Sequence, residues 1–183
     1  DLQRAKVTAA LEPLIVDGDV HRNLDPEIVL RTYLLWANRD NVPAMTRMVQ
    51  NPTMPNWSTQ KTAMVMTALA KLGDERAYPA LAEKLADPAL HDQAINALKV
   101  VGPSSQRAVL EFAFSDDPNT KLRATNLLTE FGATPKTIAD EAFVRLRSAQ
   151  PVVRHSAIGW FLENAPNDDR QKAEGASLLG KLP

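Results

Sequence analysis

Cysteine is absent from all 183 residues. That one absence removes disulfides, thiolate nucleophiles and cysteine-ligated zinc together. It assigns no compartment, because a cysteine-free domain is tolerated inside or outside a cell. Aromatic residues are scarce at 5%, so Ala and Leu must carry the packing, and small side chains let helices approach closely. Neither sign of charge dominates: 21 basic against 22 acidic residues leaves a net charge of −1. Such a chain has no global field to gather DNA, RNA or anionic lipid. No apolar run approaches the roughly 20 residues that span a bilayer, and no signal peptide is visible. The chain opens Asp1-Leu2-Gln3 rather than with Met and reads as a piece of a longer or processed protein. The sequence assigns no localisation.

What is present is a recurring apolar stencil. Leu30/Tyr33/Leu34/Ala37, Val65/Ala68/Leu69/Leu72, Ala94/Ala97/Leu98/Val101, Ala124/Leu127/Leu128/Phe131 and Ala157/Trp160/Phe161/Asn164 all have spacing i, i+3, i+4, i+7. That spacing is one face of an α-helix. Their first members lie 35, 29, 30 and 33 residues apart, the period of a stack of helical units that cannot bury their apolar faces alone. With 44% apolar residues there is material for a continuous core.

Punctuation keeps the same phase. After the sets come Asn38, Gly73, Gly102, Gly132 and Ala165, of which Asn and Gly suit the left-handed close of a helix. Seven residues before each set stands a cap candidate: Asn23, Ser58, Asp87, Asp117 or Gln150. Pro88, Pro118 and Pro151 follow three of them, at the first helical position where proline loses nothing. A second helix follows each turn, with Val42-Pro43-Ala44-Met45 matching Tyr78-Pro79-Ala80-Leu81 and, more loosely, Ala108-Val109-Leu110. Later second helices are expected around Ile138–Leu146 and Asp169–Leu179. The stretch Leu2 to Val16 reads as the second helix of an incomplete leading unit. The expectation is an all-α, right-handed α-solenoid of about five antiparallel helix pairs plus a leading helix, about eleven helices in all. Residues 1–24 form the leading helix and loop, and 25–183 the repeat array, as one continuous domain. The loop Asn51-Pro52-Thr53-Met54-Pro55-Asn56-Trp57, with two prolines and an aromatic, reads as an ordered excursion.

Ala-Leu-Ala-Lys-Leu-Gly at 68–73, Tyr78-Pro79-Ala80-Leu81, Asp87-Pro88 and Val153-Arg154-His155-Ser156-Ala157 resemble HEAT-like repeats of the short, phycobilisome-lyase type, an armadillo-like helical repeat. The position of Arg154 holds Glu27, Thr62, His91 and Lys121 in the other units, a departure from the family pattern. The resemblance covers roughly residues 25–165. It implies that second helices line a concave face where partners dock. Residues following the core leucines would point there: Arg47, Glu83, Lys84, Glu111 and, from a helix out of register, Arg145. Trp57, in the inserted loop, is the best single candidate for a hot spot, against the plainer reading of a plug over a repeat junction.

Other constellations are weak. Asp17, Asp19, His21, Asn23 and Asp25 alternate like a calcium loop, but the sixth and twelfth positions hold Arg22 and Ile28 where glycine and a bidentate glutamate are needed. His21, His91 and His155 form no His-Glu-x-x-His pair, and repeat-junction contacts explain His91 and His155 better than catalysis. Ser58, Ser104 and Ser105 sit at helix starts, where capping suffices. No catalytic constellation, cofactor or metal set is visible. The expected function is therefore a noncatalytic protein-interaction scaffold binding another protein or a peptide. The alternatives are a nucleic-acid-binding HEAT-like protein of the DNA-glycosylase type, argued against by the charge balance, and a structural spacer. A role like that of the lyases, handling a tetrapyrrole or its carrier, finds little support in so few aromatics and histidines.

Overall fold

A computed structural model describes residues 2–16, 24–51, 57–164, 173, 176 and 177. Among them every regular element is helical, with no strand. The α-helices are α1 (Leu2–Val16), α2 (Pro26–Trp36), α3 (Val42–Gln50), α4 (Thr59–Leu72), α5 (Tyr78–Glu83), α6 (His91–Val101), α7 (Gln106–Leu110), α8 (Pro118–Glu130), α9 (Pro135–Leu146) and α10 (Pro151–Asn164). The chain divides into two compact units, Asp1–Ser105 and Gln106–Pro183.

Most stencil members are buried, although Ala68, Leu72, Val101, Phe131 and Trp160 are half-buried, and residues outside it such as Val42, Met45, Leu81 and Leu85 are buried as well. The stencil's first member is buried in all five sets: Leu30, Val65, Ala94, Ala124 and Ala157. Leu69, Leu98, Leu128 and Phe161 are buried at the fourth-residue step, while Leu34 is half-buried and Asn164 exposed. In the first unit α1 packs on α2, α2 on α4 and α4 on α6; α3 packs on α4 and α5, and α5 on α6. Thus α2, α4 and α6 form one run of packed neighbours in this unit, and α3 and α5 another. In the second unit α7 packs on α8, α9 on α10, and the 3-10 turn Glu111–Phe114 on both α8 and α10.

The caps show why the helices begin and end there. The Asp25 carboxylate accepts the Glu27 N–H at 2.8 Å and Ser58 Oγ the Lys61 N–H at 3.3 Å. Asp117 accepts the Thr120 N–H at 2.8 Å, with Pro118 at the first position of α8. This capping, led by the Thr120 hydrogen bonds, holds the Asp117 carboxyl below its usual pKa. Gly73 closes α4 at φ 60°, ψ 35°. Gly102 closes α6 at φ 73°, ψ −152°, a region essentially restricted to glycine.

Several expectations need correction. Asp87 does not cap α6 directly: its carboxylate accepts the Ala89 N–H at 2.9 Å in a turn, and α6 starts only at His91. Pro88 therefore lies in that turn, not in the helix. Asn38 does not close α2, which ends one residue earlier with Ala37 as C-cap. It instead caps the 3-10 turn Arg39–Asn41, with Asn41 answering in a reciprocal box. The second helices are shorter than a plain pair requires. Each of α3, α5 and α7 is preceded by a 3-10 turn (Arg39–Asn41, Glu75–Ala77, Gly102–Ser105), and α5 and α7 run out into others, Lys84–Ala86 and Glu111–Phe114. Of the eleventh helix expected around Asp169–Leu179 only residues 173, 176 and 177 are described, each helical; the helix end at Ala165, the cap Asn23 and the loop centre 52–56 lie outside the described residues.

Candidate interaction surface

α3 buries Val42, Ala44, Met45, Met48 and Val49, which turns Arg47 and Gln50 outward. α5 buries Tyr78, Ala80, Leu81 and Ala82, leaving Glu83 exposed at its end and Lys84 half-buried just beyond. Because α3 and α5 pack side by side, Gln50 Nε2 can donate to Glu83 Oε2, at 3.2 Å. The outward surfaces of two successive second helices therefore meet in a polar contact. Arg47 and Glu83 belong to this pair of helices, and Lys84 opens the 3-10 turn that follows α5.

Where α1 meets α2 lies a polar centre that sequence reasoning missed. Tyr33 was assigned to the apolar core and is indeed fully buried, but its hydroxyl donates to Glu12 Oε2 of α1 at 3.0 Å. Nearby, Asn41 Oδ1 accepts the Asn38 N–H at 3.0 Å. Burial first, then the Glu12 charge and hydrogen bond, push the phenol well above its usual pKa, while Arg47 opposes the shift. The phenol is a locked donor and cannot serve as a base. An open groove of about 440 Å³ runs alongside, lined by Ala5, Thr8, Ala9, Glu12, Asp40 and Asn41 among others. The signal available in the sequence was Tyr33 itself, a hydroxyl placed in an otherwise apolar stencil, since a buried hydroxyl requires a partner.

At the edge of the same unit, Arg76 ties two turns together. Its guanidinium donates to Asp74 at 2.8 Å through both Nε and NH2, and to the Arg39 carbonyl at 2.7 Å. The Arg76 hydrogen bond is the main reason the Asp74 carboxyl is held down to about 2. Trp57 is half-buried, and its indole N–H donates to the buried Thr62 Oγ1 at 2.8 Å. That hydrogen bond ties the indole to α4 and engages its only polar group within the protein.

The second unit treats its candidates differently. Glu111 is exposed, but Arg145 is buried, only 7% accessible. The expectation of an outward-pointing Arg145 is corrected: its guanidinium donates to Glu111 from NH2 and to Glu141 from Nε at 3.2 Å, and lies 4.5 Å from the Phe114 ring centroid. The physical reason is the set of partners around it, since Glu111, Glu141 and the Phe114 ring stand where water would otherwise be needed. A cation there stays buried only because two carboxylates and a ring face answer it. Glu141 and Arg145, four residues apart, were the sequence signal. Glu111 is accordingly a partner of Arg145 before it is anything else.

Of the calcium-like loop, only Asp25 is described, and it caps α2; Asp17, Asp19, His21 and Asn23 lie outside the described residues. His91 Nε2 lies 3.4 Å from its neighbour Asp92, and His155 is exposed. Among the described residues no three His, Cys, Asp or Glu side chains gather where a metal ion could sit. No described helix is long and apolar enough to cross a membrane. No family model, curated protein or solved structure matches this chain.

Proposed function

We propose that this chain is a noncatalytic protein-interaction scaffold whose docking surface in the first unit is formed by α3 and α5, at Arg47, Gln50, Glu83 and Lys84. The observation that carries the reading is the Gln50–Glu83 contact, which joins the outward residues of consecutive second helices over a fully packed core. A surface supported by rigid helices presents charges of both signs at defined positions, which suits orientation and selectivity of a protein or peptide partner. The finer architectural reading belongs here too. The helix pairs are proposed as successive repeats of a right-handed α-solenoid of HEAT-like kind, supported by the shared stencil, the two runs of packed helices in the first unit, and the repeated proline after the 3-10 turn (Pro43, Pro79). Trp57, half-buried, remains a candidate partner contact, and Glu111 is the candidate in the second unit.

Crosslinking mass spectrometry on the chain in a native extract tests the proposal. The expected crosslinks fall along α3 and α5, and the double reversal Arg47→Glu with Lys84→Glu removes them. Crosslinks confined to α2, α4 and α6, or to the chain termini, would overturn the assignment and leave the spacer reading ahead. Fluorescence anisotropy with duplex and single-stranded DNA addresses the other alternative. Only weak, salt-sensitive binding is expected, since acidic neighbours accompany the basic residues.

A further inference from the structure

We draw no further inference here: the strongest candidate, the exposed apolar stripe of Ile28 and Leu35 along α2, is an unpartnered helix face, and nothing in the structure shows what covers it.

Discussion

The two units solve one problem, a polar group inside a helical core, in opposite ways. In the first, a neutral phenol is buried and reaches a carboxylate, Tyr33 to Glu12, in a unit whose fully buried side chains include Leu30, Met45, Met48 and Met66. In the second, a cation is buried and held by carboxylates at the surface, Arg145 by Glu111 and Glu141, beside an aromatic cluster. Phe114 and Trp160 lie 6.1 Å apart there, and Phe143 and Phe161 meet edge-on at 4.8 Å. The consequence for function is direct. A buried phenol leaves the charges of the neighbouring second helices at the surface, whereas a buried guanidinium commits the corresponding charges to holding the fold. The α3–α5 residues proposed to meet a partner lie in the first unit, whereas in the second only Glu111 of the Glu111–Arg145 pair stays exposed.

The largest effect sets the scale against which both polar ties are read. Leu98, with no accessible surface, belongs to the first unit's apolar packing. Leu98→Ala should cost about 2–5 kcal/mol through lost transfer energy and the cavity left behind. Denaturant midpoints measure it, and a loss below about 0.5 kcal/mol would mean that the stencil is not the core.

Next comes Arg145→Ala. Removing a cation clasped by two carboxylates and a ring should cost on the order of 1–3 kcal/mol, less than a fully enclosed pair because Glu111 remains largely in water. The same denaturation curve, recorded with Glu111→Gln as a second variant, separates the pair from the packing of the arginine stem. If Arg145→Ala left stability unchanged, the contrast between the units would collapse.

Tyr33→Phe should be milder, about 1 kcal/mol, since it removes a hydroxyl while keeping the ring. Thermal melts check this, and a loss as large as that of Leu98→Ala would show that the polar centre, not the apolar face, organises the first unit.

Asp74 supplies a pH test. Its folded pKa of about 2 lies below the ordinary 3.8, so its ion pair with Arg76 contributes stability above about pH 4. That contribution is lost as pH falls from about 4 to about 2. Wild type and Asp74→Asn should differ at neutral pH and converge near the folded pKa of about 2; a constant offset across that window would remove the Arg76 link as the cause.

The smallest expected effect is that of Arg47→Glu with Lys84→Glu, within about 0.5 kcal/mol of wild type. Loss of partner crosslinks at unchanged stability is the outcome that sharpens the comparison. A large drop in melting temperature would place these side chains among the structural ones, alongside Arg145.

Much of this was legible one residue at a time. Ser58, Asp117 and Gly73 act as caps because their chemistry is local: a short side chain reaches the backbone two or three residues away, or a missing Cβ permits φ near 60°. Period 3.6 placed Leu69, Leu98 and Leu128 in the core for the same reason, since helical geometry alone decides which residues share a face. Asp87 failed as a cap because a three-residue turn intervened, and nothing in Asp-Pro distinguishes such a turn from a first helical turn. Charged residues on the second helices were harder still. The sequence by itself determined where the main helices lie and which face of each is apolar, because those depend on interactions a few residues long. Only the tertiary structure decided that Arg47 stays outside while Arg145 goes inside, because that depends on whether a carboxylate 34 residues away and a ring on another element stand ready to replace water.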